Sequence, residues 1–306
     1  MSQKSFDHSK SFIKKSVKAL ASGQFNNDNV KALEYLRNLK SKYFLENLNK
    51  FVHELKDLKL SISGRLKRFD TIIRKVQKRS SDVNSMGDII GYRIVTHSYQ
   101  ESEQVTKLLS DLFQAEPRDY TPRSEGYRAV HFIINLGEIE NGINNIFEIQ
   151  VRTYFQHIWS TWSESYGERV KEIYGNSNIS GSLLQLKHWL NSFTLIIKNF
   201  ENKNQTYKQL KEITLNEPFG YYILHFDTNR NELTSMSEKI LNLSDVREIY
   251  YKYEELNRDN KNIEIVLLLA NTLEHLKETH PRYFSLDARP EIPSEILPKT
   301  IYSFGV

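Results

Sequence analysis

The chain has 306 residues, 39% hydrophobic and 26% charged, with a net charge of +4 and no cysteine. That is a globular composition, long enough for one large or two modest domains. It excludes disulfides, thiolate metal sites and a cysteine nucleophile, and it fits a cytoplasmic protein.

No apolar run approaches the ~20 residues of a membrane-spanning helix, so no membrane partner is expected. The opening MSQKSFDHSKSFIKKSVKAL is basic without an apolar core, so no secretory leader is expected either. Residues 1–60 read as helices, with Leu33, Leu36, Leu39, Phe44, Leu48 and Phe51 at roughly helical spacing. Gly64 interrupts. A basic stretch follows, with seven Lys or Arg and one acid between Ser61 and Ser80, and is expected to open another helix. Then come a strand (DIIGYRIVTHS), a helix (SEQVTKLLSDLF), two strands (AVHFIINLG and IFEIQVRT) and a helix from Phe155. Interleaving of this kind predicts a sheet with helices packed on it. Gly175–Gly181 is the best linker by composition. Beyond it a helical period runs from Leu183 to Ile197. FGYYILHFD, SDVREIYYKYEEL, IEIVLLLAN and HLKETHPRYF then suggest a small second α/β unit with an irregular tail.

Four groups carry chemistry. On a helix, Lys67, Thr71, Lys75 and Arg79 would stack at i+4 steps, with Arg65 and Arg68 nearby. Like charges so placed repel by a few tenths of a kcal/mol per pair, which a polyphosphate would relieve; a solvated basic face is the alternative. Asp88, at the start of a strand that continues through Gly91 and Arg93, suits Mg²⁺, which takes one or two carboxylates plus phosphate oxygens. A turn aspartate is the alternative there. Tyr127, after Gly126 and four residues before His131, is placed to stack a nucleobase or simply to pack. In Phe147–Thr153 the residues alternate, so that Glu148, Gln150 and Arg152 share one face. Glu148 there suits a metal or a hydroxyl proton, and Gln150 and Arg152 suit a base edge or a phosphate. Together the groups are the equipment of phosphoryl-type transfer, where catalysis is positioning plus charge neutralisation.

These residues resemble the synthetase domain of the RelA/SpoT family of alarmone synthetases. The family's Arg-x-Lys with a hydroxyl and a second Lys at four-residue steps appears as Arg65, Lys67, Thr71 and Lys75. Its Asp-x-x-Gly-x-Arg strand appears as Asp88, Gly91 and Arg93. Its guanine loop appears as Arg123, Gly126, Tyr127 and His131, and its Glu-x-Gln-x-Arg-Thr strand as Glu148, Gln150, Arg152 and Thr153, followed by Trp159. The motifs come in family order over roughly residues 61–175.

The resemblance implies an α+β, nucleotidyltransferase-like mixed sheet flanked by helices. It divides the chain into N-terminal helices (1–60), a synthetase domain (61–175), linking helices (176–215) and a small α/β accessory unit with tail (216–306). It also implies transfer of the β,γ-pyrophosphate of ATP to the 3′-hydroxyl of GDP or GTP, with AMP leaving. Arg65 and Arg93 would then flank the adenine, while Lys67, Thr71 and Lys75 hold the phosphates. Asp88 would bind Mg²⁺, with Glu148 assisting the metal or activating the hydroxyl. Tyr127 would stack on the acceptor base, and Arg123, His131, Gln150 and Arg152 would complete the acceptor site.

Thr71 stands where the family usually has Ser, and Ala129 likewise. The usual Glu-His after the Trp appears displaced as Ser163-Glu164, and one residue on a helix is a rotation of about 100°. Some short relatives are toxins or phage-defence effectors, and some pyrophosphorylate the 3′ end of tRNA. A tRNA acceptor is therefore a second hypothesis, and a catalytically silent nucleotide-binding module a third. No His-Asp hydrolase motif is present in this sequence, and no heptad or apolar stripe decides whether it forms a homo-oligomer.

Overall fold

The computed structural model describes residues 9–55, 58, 60–79, 86–120, 127–165, 194, 195, 197, 218, 220–230, 232–258, 260, 262–280, 283 and 284. Three helices open the chain: α1 (Lys10–Ala21), α2 (Asn27–Ser41) and α3 (Phe44–Leu55). Ser9 and Asn26 cap the first two by accepting from the Phe12 and Asn29 amides. Then follow β1 (Ser61–Leu66), α4 (Phe69–Arg79), a 3-10 turn (Gly87–Ile89), β2 (Ile90–Thr96) and α5 (Tyr99–Phe113). The short β3 (Arg118–Asp119) leads into β4 (Val130–Glu140), β5 (Ile143–Thr153) and α6 (Tyr154–Ser165). The C-terminal region adds β6 (Gly220–Asp227), β7 (Glu232–Met236), α7 (Leu243–Leu256), β8 (Ile263–Ala270) and α8 (Leu273–Thr279).

All eight strands form one mixed sheet in the order β3-β4-β5-β2-β1-β8-β6-β7. Among the described strands only β2 and β5 run parallel, with α5, β3 and β4 between them in the chain. The α+β class, with N-terminal helices and C-terminal α/β elements, is as the sequence led us to expect. The C-terminal strands extend the same sheet: Ile62, Ser63 and Gly64 of β1 pair with Leu269, Leu268 and Leu267 of β8. The expected linker at 175–181, most of the helical period of 183–197, the 175/176 and 215/216 divisions and the tail after Pro290 lie outside the described residues.

Strand alternation sends two different sets of side chains to the two faces. One face is apolar from β4 to β6: Phe132, Ile149, Tyr92, Ile62, Leu267 and Ile223 bury under α3, α5 and α7. At Gly64 this face allows no side chain, since a Cβ would lie 2.9 Å from the Phe44 ring. The glycine read as an interruption is thus the mid-strand position over which Phe44 stacks on Tyr92 at 5.3 Å. A second core joins α1 and α2 to α4 and the 3-10 turn through Val17, Leu33, Leu36, Ile72, Val76 and Ile89. The N-terminal helices therefore brace the elements that carry Lys75 and Asp88.

Candidate functional site

The other face of the sheet divides at β1. Register places Glu148 beside Gly91, Gln150 beside Arg93, Gly91 beside Arg65 and Arg93 beside Ser63. His131 of β4 stands beside Gln150. One face of four strands thus presents a band of charged and hydrogen-bonding groups. It lines a cleft whose walls include Arg65, Lys67, Asp88, Gly91, Arg93, Glu148 and Gln150. A Cβ built at Gly91 would meet nothing within 4 Å, so the glycine faces open cleft rather than packed protein.

At one end, Asp88 Oδ2 accepts from Lys67 Nζ at 2.5 Å and from Lys75 Nζ as well. Burial pushes the Asp88 carboxyl up, but the two ammoniums outweigh it and hold the group below the usual carboxylate range. Burial likewise lowers the Lys67 ammonium, despite the attraction of Asp88. The buried Asp88 Oδ1 has no hydrogen-bond partner among the described residues. The expected cationic helix face needs correction. Arg65 lies on β1 and Lys67 in the connection after it, because Ser61–Leu66 pairs on both sides with β2 and β8. Only Thr71, Lys75 and Arg79 belong to α4. Lys67 reaches Asp88 because its own amide bonds to the Ile89 carbonyl at 2.8 Å. Thr71 accepts from Arg74 Nη2 at 3.4 Å and is not among the residues lining the cleft. Asp88, expected to begin the strand, sits in the 3-10 turn just before it.

At the other end five residues close a ring of hydrogen bonds. Arg152 Nη2 donates to the Tyr127 hydroxyl at 2.5 Å and to Gln150 Oε1 at 2.6 Å. Gln150 Nε2 donates to Glu148 Oε2 at 2.8 Å. Tyr127 Oη lies 2.6 Å from His131 Nε2, and His131 Nδ1 lies 2.8 Å from Glu148 Oε1. With His131 as the Nδ1–H tautomer, every proton in the ring has an acceptor, and both arms run from Arg152 to Glu148. Burial pushes Glu148 up, but the bonds from His131 and Gln150 prevail and keep it below the usual range. Burial also raises the Tyr127 hydroxyl, against the opposing pull of Arg152 and Arg93. The Tyr127 ring is edged by Tyr120 and His131, and the Arg152 guanidinium lies over it at 4.9 Å. Arg152 is itself only 2% exposed, so it braces this end from beneath.

Of the expected residues, Arg65, Lys67, Asp88, Arg93, Glu148 and Gln150 line the cleft, while Lys75, His131 and Arg152 hydrogen-bond to lining side chains and Tyr127 to His131 and Arg152. Arg123 and Gly126 lie outside the described residues, as do the side chains of Ser163 and Glu164, whose backbone is on α6. Sequence reasoning missed Ser63, His157, Val266, His280 and Tyr283, which also line the cleft. It missed Glu264 too, whose carboxylate accepts from Arg65 Nη1 at 2.7 Å. Finding the last four residues requires the β1–β8 pairing, which no local pattern announces.

Residues 64–176 match the family model described as "Region found in RelA / SpoT proteins". This segment is similar to the RelA/SpoT region. It contains every residue of the band between Arg65 and Arg152. A probable chloroplastic GTP diphosphokinase of Oryza sativa subsp. japonica is 30% identical over 117 residues, 37% of this chain and 16% of the relative. A guanosine-3′,5′-bis(diphosphate) 3′-pyrophosphohydrolase of Borreliella burgdorferi is 27% identical over 101 residues, 31% of this chain and 14% of the relative. The chain thus spans less than a fifth of the length of these two curated relatives. The crystal structure of the small alarmone synthetase 1 from Bacillus subtilis is similar over 56% of this chain and 92% of its own, with 20% identity and a TM-score of 0.43. Among the described residues no helix is long and apolar enough to cross a membrane, and no group of three or more metal-ligating side chains occurs.

Proposed function

We propose that the RelA/SpoT region transfers the β,γ-pyrophosphate of ATP to the 3′-hydroxyl of GDP or GTP, making a guanosine alarmone and releasing AMP. The observation that carries this reading is the shared cleft. Asp88, held between two ammoniums, and Glu148, held by a closed polar ring, face one space. In the reaction the 3′-oxygen attacks the β-phosphorus, the bond from that phosphorus to the α,β-bridging oxygen breaks, and AMP leaves with the electron pair. Lys67 and Lys75 neutralise the phosphates and the charge that grows on the leaving oxygen. Glu148, kept ionised, accepts the proton of the attacking hydroxyl through a lone pair that the ring leaves unused. Arg65 and Arg93 stand on neighbouring strands for the donor base. Tyr127, His131, Gln150 and Arg152 shape the acceptor end, with the Tyr127 face away from Arg152 as the stacking surface.

The donor set fits Mg²⁺. Asp88 Oδ1 is a buried, ionised oxygen without a hydrogen-bond partner among the described residues, and one or two carboxylates with substrate phosphates are the usual ligands of this ion. Asp88 would hold it with help from Glu148, and when bound it would neutralise phosphate charge.

The test is incubation with ATP labelled at the β- or γ-phosphate and, in parallel, GDP, GTP or tRNA. Label in a guanosine tetra- or pentaphosphate with equimolar AMP is the expected result. Label only in RNA would establish the tRNA acceptor instead, and no AMP release with any acceptor would leave a silent nucleotide-binding module.

A further inference from the structure

On the cleft face the polar band ends at β1, and the next strands are apolar apart from Glu264 of β8, which accepts from Arg65. Val266 of β8, next to the Leu267 that pairs with Gly64, and Tyr222, Leu224 and Leu268 pack under Leu276 of α8 and under Tyr283. Tyr283 is 9% exposed. Its ring meets Phe226 edge-on at 5.1 Å, and it lies nearly parallel to the His280 imidazole at 6.4 Å. His280 is fixed from two further sides: its Nδ1 is 3.3 Å from Ser61 Oγ, and its ring is 5.2 Å from that of His157 on α6. Val266, His280 and Tyr283 all line the cleft that holds Asp88 and Glu148. The C-terminal elements thus place two aromatic rings and an aliphatic side chain on the Arg65–Arg93 side of the cleft. His280 stands beside Ser61 at the start of β1, whereas Arg65 and then Lys67 follow at its other end.

We propose that Tyr283 and His280, with Val266, form one wall of the donor-base subsite, so that the C-terminal unit completes the site begun by Arg65 and Arg93. This rests on the ATP reading of the cleft. Chemically, the wall suits a planar purine: aromatic faces and a methyl-bearing side chain on one side, guanidinium groups on the other. Burial, reinforced by nearby Arg93 and His275, pushes the His280 imidazolium down to about 3, so His280 presents an uncharged ring at neutral pH. A neutral wall leaves the cationic work to Arg65, whose position Glu264 of β8 fixes.

The test is calorimetric binding of the α,β-methylene analogue of ATP, with GDP binding as the control, to the full chain and to two variants. Tyr283→Phe keeps the ring and is expected to bind within twofold of the unmutated protein. Tyr283→Leu keeps apolar packing against Phe226 but removes the aromatic face. It is expected to weaken the analogue about tenfold with GDP binding unchanged. Equal or tighter analogue binding by a Tyr283→Leu protein that melts cooperatively near the unmutated temperature would overturn the proposal. A Tyr283→Leu protein that does not fold shifts the measurement to Val266→Thr, where unchanged analogue affinity overturns it and severalfold weakening supports it. Failure of the unmutated protein to bind the analogue sinks the wall. Analogue binding that depends on Tyr283 without any pyrophosphate transfer sinks only the proposed reaction.

Discussion

Two halves of one sheet face, β4-β5-β2-β1 and β8-β6, follow the same alternation and the same register. Yet one half carries Glu148, Gln150, Arg93 and Arg65, and the other carries Val266, Leu268, Tyr222 and Leu224. In the first half the outward positions are polar and line an open cleft, to which α6 contributes only His157 among the described residues. In the second they are apolar because α8 and Tyr283 close over them. The pleat decides which residues share a face, whereas the covering layer decides whether that face works as a core or as a site. Arg65 sits on the seam, reaching across it to Glu264.

Glu148→Gln should break the polar half most strongly. Release of AMP is expected to fall about 10²–10⁴-fold while the melting temperature stays close to that of the unmutated protein. An active Glu148→Gln enzyme would remove the proton acceptor from the mechanism. Leu268→Ala addresses the apolar half. Denaturant unfolding should show a loss of about 2–5 kcal/mol, because the side chain is fully buried under α8. A loss below ~1 kcal/mol would mean that α8 does not bury this face.

Acid should act on the seam itself. His275 is pushed down to about 4 by burial and by His97, and His280 to about 3 by burial, Arg93 and His275. An unfolded chain takes up protons as pH drops through ~6.5, which the folded chain does not do until about 4 and below. Stability is therefore expected to fall as pH drops from 6.5 toward 4, on the order of 3 kcal/mol for a single histidine shifted this far. His275→Gln should flatten that slope in melts recorded across the range. The smallest effect is at Gly91, where a methyl group enters open cleft. Gly91→Ala should keep stability within ~0.5 kcal/mol while raising the donor KM severalfold.

Much of the polar half was legible in the sequence because its chemistry is local. The alternation in Phe147–Thr153 puts Glu148, Gln150 and Arg152 on one side, and the structure closes those three with Tyr127 and His131. Lys67 was misread as helical because Ser61–Leu66 is too short and too polar to show a strand period. Its Gly64 reads as a breaker until Phe44, twenty residues earlier, is seen to pack over it. The seam left no local trace. Arg65 meets Glu264 and Ser61 meets His280 across about two hundred positions of chain, and only the β1–β8 pairing brings them together.

That pairing also governs how the chain can be divided. With β8 at its flank, β1 is an interior strand hydrogen-bonded on both sides. A fragment ending before β6 would bare the backbone of Ile62–Gly64, together with the apolar surface that Ile265 and Leu267 now cover. Such an unprotected margin invites pairing with a second molecule and precipitation. A fragment truncated before β6 should therefore be less soluble than the whole chain.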